Sequence, residues 1–227
     1  SSFNLEGSVK SVTAGDGQTY TSGAVILATG GRSRTLGVQG EDTFKGRGIS
    51  YCATCDGDFF TGKEIVVVGG GNSALEEAVS LTKYATKVTV VHQFDHFQAF
   101  QYAVDEAKAN PKISFVMSST IASFYGDEKL EGVKIRNLIT GEETDFKTDG
   151  VFIFIGYVPN TEWLKGHLTM NERGEITAGA DMSTNISGVF SAGDANAKRY
   201  RQVTTAVADG TVAALAAADY LHSQKRN

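Results

Sequence analysis

The sequence predicts an α/β protein with doubly wound parallel sheets, each carrying an antiparallel β-excursion, and three observations predict it. The apolar run Glu64–Val68 enters a glycine turn, helical spacing follows at Leu75, Ala78, Val79 and Thr82, and a second apolar run covers Lys87–Val91. That order reads as a βαβ unit, since strands buried on both faces are continuous apolar runs. Glycine is abundant at 26 residues and proline scarce at 2, as tight strand-to-helix turns require. Residues 3–27 and 113–147 alternate and are broken by turn residues, the pattern of antiparallel meanders.

The 227 residues allow one large domain or two modest ones. A net charge of −5 argues against nucleic acid as partner, because neutralising phosphates needs a basic face. No apolar run approaches the roughly 20 residues of a membrane helix. Two cysteines are too few for a secreted disulfide scaffold, and no basic-then-apolar leader opens the chain. A reducing cytoplasm is therefore the expected location. The chain opens at Ser1 inside strand-like sequence, so the front of a longer protein is expected to be missing.

In order, the first meander turns at Gly15–Gln18 and ends in a buried strand at Ala24–Ala28. It stops at Thr29, Gly30 and Gly31, where backbone could approach a ligand closely. The glycine-rich stretch 30–48 reads as a linker or domain crossing. The βαβ unit follows, giving a Rossmann-like arrangement. A helix is expected over Phe100–Ala109, closed by Pro111. An antiparallel excursion should fill 113–147, with turns at Gly126-Asp127 and Thr140-Gly141. Gly150–Ile155 reads as a buried strand ending at Gly156, and Pro159-Asn160 as a break and second crossing. A turn at Asn171–Gly174, a strand at Gly188–Ser191, the pair Gly193-Asp194 and an Ala-rich helix over Thr204–Leu221 complete the chain.

Cys52 and Cys55 have the spacing of a dithiol that closes into a small ring and passes two electrons by thiol–disulfide exchange. Asp56 is adjacent and could relay the protons that exchange requires. A zinc half-site is the competing reading, but the nearest histidines, His92 and His96, lack finger spacing. No metal is expected, and two inert buried cysteines are the blander alternative.

Gly69-x-Gly71-x-x-Ala74 leaves a strand and opens a helix, so its backbone, with Asn72, Ser73 and Glu76 nearby, suits a pyrophosphate at a helix N-terminus. A plain tight turn is the alternative. After the second strand come His92 and Gln93, with neither the acid that favours a free ribose 2′-hydroxyl nor an arginine for a 2′-phosphate. No arginine occurs between Arg47 and Arg136. Two absent charge-assisted bonds would cost roughly 3–6 kcal/mol, or about 10²–10⁴ in affinity. NADPH is thus expected to be a poor donor. Gln93 could still bond a bare ribose, Lys87 leaves some room for a phosphate, and His92 reads first as a packed strand-end histidine.

Taken together, Cys52 to Gly57, Gly69 to Glu77, and Gly193-Asp194 with Arg201-Gln202 resemble the low-molecular-weight thioredoxin reductases, over essentially the whole chain. The resemblance implies a partial FAD-binding domain at 1–35 and 158–227, with an inserted NAD(P)H-type domain carrying the dithiol at 36–157. It implies that Thr29, Gly30, Gly193 and Asp194 lie against FAD, that Arg201, Gln202 and Val203 line the isoalloxazine, and that Gly156 belongs to the nucleotide-binding set. Cys55 would face the flavin, Cys52 would attack the disulfide of a thioredoxin or thioredoxin-like partner, and Asp56 would supply the proton. A homodimer is also implied. Two departures stand out: the family's basic motif after the second strand is replaced by His92-Gln93-Phe94 and Gln98, and its first Gly-x-Gly turn has no counterpart here. NADH, a deazaflavin, a ferredoxin or no soluble donor are all open. The competing function is a non-catalytic nucleotide- or partner-binding module built on the same fold.

Overall fold

The computed structural model describes residues 2–225. The chain divides into two compact units, one running to Arg32 and resuming at Tyr157, the other spanning Ser33–Gly156.

The first unit begins with β1 (Ser2–Asn4), β2 (Lys10–Thr13) and β3 (Thr19–Ser22), an antiparallel sheet in the order β1-β2-β3. The expected meander is present over these three strands, and the turn between β2 and β3 is closed by the Gly17 N–H donating to the Ala14 carbonyl at 3.0 Å. Next comes β4 (Val25–Leu27), then β5 (Gly31–Ser33). Ile26 of β4 is exposed, so only one face of that strand meets the core.

The second unit opens with a short helix α1 (Glu41–Phe44), then β6 (Ile49–Ser50), α2 (Ala53–Asp56) and β7 (Glu64–Val68). The stretch read as a linker therefore carries structure of its own. There follow α3 (Asn72–Leu81), β8 (Lys87–Val91), α4 (Gln101–Ala109) and β9 (Ile113–Val116). The main sheet is five-stranded, ordered β6-β13-β7-β8-β9, where β13 is Gly150–Ile153. All its neighbours run parallel. Val66, Val67, Val88, Val90, Val151 and Phe152 are wholly buried within it. Helix α3 covers the sheet with Ala74, Leu75, Ala78 and Leu81, one face of a 3.6-residue repeat. Full burial of a side chain such as Leu75 contributes about 1.5–3 kcal/mol.

One expectation needs correction here. Residues 113–116 do not join the antiparallel excursion. They form β9, parallel to β8 with Ile113 opposite Val88, and make β8-α4-β9 a second βαβ unit. Their alternation Ile-Ser-Phe-Val is that of a half-exposed edge strand, which sequence period cannot distinguish from an antiparallel one. The excursion is β10 (Ser119–Gly126), β11 (Leu130–Asn137) and β12 (Glu143–Lys147), antiparallel throughout. Pro159 stands at the expected break. It ends strand β14 (Tyr157–Pro159), which pairs with β5. Proline is tolerated there because the strand lies in a two-stranded sheet.

The first unit is completed by β15 (Val189–Ser191), parallel to β4 with Leu27 opposite Ser191, and by α5 (Val203–Gln224). Gln202 and Thr205 form a reciprocal capping box at the start of α5, and the Ala-rich interior sustains its 22 residues. No helix among the described residues is long and apolar enough to cross a membrane.

Candidate active site

Strands β6, β13, β7 and β8 are parallel, so their carboxyl ends share one edge of the sheet. The dithiol follows β6, the glycine turn follows β7, His92 follows β8 and Gly156 lies beyond β13. The structure thus gathers Cys52, Gly69, Gly71, Ala74, His92 and Gly156 at the edge where open α/β sheets bind ligands.

Cys52 and Cys55 are joined in a disulfide, with Cα atoms 5.3 Å apart. Cys52 caps α2, and the Cys55 N–H donates to its sulfur at 3.2 Å. Cys52 is half-buried and Cys55 exposed. The Asp56 carboxylate accepts from the Ser50 hydroxyl at 2.7 Å, while that hydroxyl accepts from the Cys52 N–H at 3.1 Å. Ser50 and Asp56 also line a cleft of about 260 Å³ with Arg47, Phe59 and Lys63, and Asp56 is half-buried. In α1, Glu41 is buried and accepts from the Leu36 N–H at 3.0 Å, the Gly37 N–H at 2.7 Å and the Tyr51 hydroxyl at 2.7 Å. Burial, and next that bond to Glu41, push the Tyr51 phenol well above its ordinary range. Sequence reasoning missed Ser50, Glu41 and Tyr51. Their types are ordinary: Ser50 and Tyr51 directly precede Cys52 without belonging to any motif, and only the fold brings Glu41 to the Tyr51 hydroxyl.

At the glycine turn, Gly69 has φ 137° and lies so close to Phe154 that a Cβ would run into its carbonyl. Gly71 caps α3 with no side-chain bond, leaving the helix N-terminus available to an anion. Asn72 is engaged, accepting from the Phe100 N–H at 2.7 Å, and Glu76 accepts from the Tyr102 hydroxyl. Ser73 stands in the first turn of the helix. Past β8, Gln93, Phe94, Asp95, His96 and Gln98 are exposed. His96 stacks on Phe94 at 5.8 Å and bonds Asp95 at 2.7 Å.

His92 is not at the surface of this turn. It is 4% exposed, stacked on Phe97 at 5.8 Å, with its ring where a Cβ on Gly70 would fall. Desolvation holds its pKa below the ordinary 6.5. The folded unit therefore keeps a neutral imidazole that the unfolded chain would protonate. Stability should fall as pH drops through about 6.5 and continue to fall until the lowered folded value is reached. Urea melts at about pH 7 and about pH 5 should show this loss, and His92→Gln should flatten it; an unchanged slope would show that other groups dominate.

The first unit has a parallel arrangement of its own. Thr29 and Gly30 follow β4, and Gly193 and Asp194 follow β15, at the same edge of that strand pair. Gly30 and Gly193 have φ 60° and 80°. The Gly193 N–H donates to Asp209 of α5 at 3.0 Å. Thr29 Oγ1 and Asp194 Oδ1 are buried with no hydrogen-bond partner among the described residues. Arg201 pairs with the buried carboxylate of Glu175 and lies over the Tyr157 ring at 4.5 Å. Gln202 is spent on the capping box, and Val203 is 80% exposed.

Fold and site together define a disulfide oxidoreductase of the nucleotide-binding α/β class. The family model for pyridine nucleotide-disulphide oxidoreductases matches residues 3–210. The thioredoxin reductase of Peptoclostridium acidaminophilum is 44% identical over 226 residues, covering 97% of this chain and 71% of that protein. A 34.2 kDa protein in the rubredoxin operon of Clostridium pasteurianum is 46% identical over 202 residues, covering 89% of this chain and 66% of that one. The crystal structure of thioredoxin reductase from Streptococcus pyogenes superposes with a TM-score of 0.92 at 42% identity, covering 97% of this chain and 72% of that chain. The chain belongs to the low-molecular-weight thioredoxin reductase family, and it spans 66–72% of the length of these relatives.

Proposed function

We propose that the chain works as a flavin-dependent thioredoxin-disulfide reductase, passing electrons from a donor through FAD to the Cys52/Cys55 pair and then to a thioredoxin-like protein. The observation that carries this reading is the closed Cys52–Cys55 ring on the carboxyl edge of the sheet, with the Asp56 carboxylate bonded to Ser50, two residues before the first sulfur. FAD fits the first unit, because Thr29 Oγ1 and Asp194 Oδ1, buried and without a partner among the described residues, are polar atoms that a ligand would satisfy. Thr29, Gly30, Gly193 and Asp194 would hold it, with Arg201, Gln202 and Val203 beside its ring system. When bound, FAD supplies the electron pair that opens the disulfide. Cys55 is the sulfur assigned to that exchange and Cys52 the one that attacks the partner. Asp56 carries the proton between thiol and leaving sulfur. In this reading 1–35 and 158–227 form the flavin-binding domain and 36–157 the dithiol domain.

The donor in this reading is a reductant without a 2′-phosphate, such as NADH, rather than NADPH. Within 92–100 only the two histidines can become cationic, and neither is free to meet a phosphate: His92 is buried and kept neutral, and His96 is paired with Asp95.

Two measurements test the proposal. The chain reduced by dithiothreitol and desalted should convert an oxidised thioredoxin to its dithiol stoichiometrically. Titration with FAD should quench flavin fluorescence, and Asp194→Ala should weaken that binding by about tenfold or more, the cost of roughly one charge-assisted bond. A reduced chain that leaves every thioredoxin disulfide intact would sink the enzyme reading in favour of a binding module.

A further inference from the structure

Ser50 stands two residues before Cys52 in β6, 5% exposed and in register with Phe152 of β13. The rigid parallel sheet thus fixes its position. Its hydroxyl has three neighbours: Asp56 Oδ2 at 2.7 Å, the Cys52 N–H at 3.1 Å and the Cys52 carbonyl at 3.3 Å. A hydroxyl has one proton and two lone pairs. It accepts from the Cys52 N–H, and its single proton goes either to the carboxylate or to the carbonyl. The shorter distance assigns it to the carboxylate.

We propose that Ser50 is the positioning residue of the exchange reaction, holding Asp56 against the dithiol and coupling its charge to the Cys52 peptide. This rests on the reading of Asp56 as proton carrier. In one turn of exchange the Cys52 thiol gives its proton to Asp56, and the thiolate attacks the partner's disulfide. One S–S bond forms, one breaks, and the leaving thiolate takes the proton back from Asp56. The Cys55 thiol then resolves the mixed disulfide, its proton passing to the partner's second sulfur. Two electrons leave the dithiol, two enter the partner's disulfide, and no proton is gained or lost overall. While Asp56 is ionised, the Ser50 proton stays on it. Once Asp56 carries a proton it becomes the donor to Ser50 Oγ, and the Ser50 proton turns to the Cys52 carbonyl. The acid is held in both states. A structural role alone, through the Cys52 N–H, would leave the effect of Ser50 independent of Asp56.

The test uses the full chain, reduced by dithiothreitol, desalted and mixed with excess oxidised thioredoxin, with exchange followed in a single turnover. Ser50→Ala should slow exchange by about tenfold or more, part of the gain a placed acid–base group supplies. Ser50→Thr, which keeps the hydroxyl, should restore the rate to within about threefold. Asp56→Asn should also be slow, and adding Ser50→Ala to it should cost nothing further. Should Ser50→Ala fail to fold, Ser50→Val against Ser50→Thr gives the same comparison at equal shape. Exchange in Ser50→Ala at the original rate, or a double variant slowed by the product of the two single effects, overturns the relay alone. A wild-type chain that exchanges with no thioredoxin overturns both this inference and the proposed function.

Discussion

Replacing either Cys52 or Cys55 by serine is expected to reduce turnover of a protein disulfide by roughly a thousandfold or more, because the step has no other two-electron carrier in the chain. The chain holds two cysteines, and they are bonded to each other. The two variants should nevertheless fail differently. Cys55→Ser leaves the attacking sulfur without its resolving partner, so a covalent adduct between Cys52 and the thioredoxin should accumulate and be visible by mass spectrometry. Cys52→Ser removes the attacking sulfur and should give no adduct through the same route. The exposures alone would favour Cys55 as the more accessible sulfur, so the adduct is a discriminating readout. An adduct trapped only in Cys52→Ser would exchange the two roles. Unimpaired turnover in either variant would end the dithiol mechanism.

Placing arginine at Gln93 and Gln98 is expected to raise affinity for a 2′-phosphate by about 10–100-fold for each charge-assisted hydrogen bond that the new guanidinium groups make. Both side chains are exposed beyond the carboxyl end of β8, on the edge that carries the open N-terminus of α3. At present that rim presents Phe94 and His96 in a stack, with Asp95 neutralising whatever charge His96 acquires. The comparison is 2′,5′-ADP against 5′-AMP by calorimetry. The unaltered chain should show no preference for the phosphate, and Gln93→Arg/Gln98→Arg should prefer it. In flavin-loaded protein the same change should speed anaerobic bleaching by NADPH. Rapid stoichiometric bleaching of the unaltered protein by NADPH would refute the donor assignment, whatever the variant does.

Much of the second unit is legible in the sequence. Glu64–Val68, the glycine turn and Lys87–Val91 form β7, α3 and β8 as their periodicity requires, and Gln101–Ala109 is the helix that Pro111 delimits. The turns of the β10–β12 excursion fall where Gly126 and Gly141 supply positive φ. Residues 113–116 escape a sequence reading because alternation reports a half-buried strand and says nothing of its direction. His92 is a candidate for the nucleotide rim by its position after β8. The fold instead turns its ring under Gly70, the one residue there whose missing side chain leaves room for it.

Local physics written along the chain decided the dithiol ring, the glycine turn, the helices and the strands, because each depends on spacing within a few residues. Hydrophobic period and backbone restriction act at that range. Tertiary structure alone decided what stands beside what. It set Leu27 opposite Ser191, so that Thr29 and Asp194 share an edge whose two buried polar atoms have no partner among the described residues, and it set β6 beside β13, with Ser50 opposite Phe152. Parallel pairing joins segments far apart in sequence, and the hydrogen bonds that select those neighbours leave no periodic trace in either one.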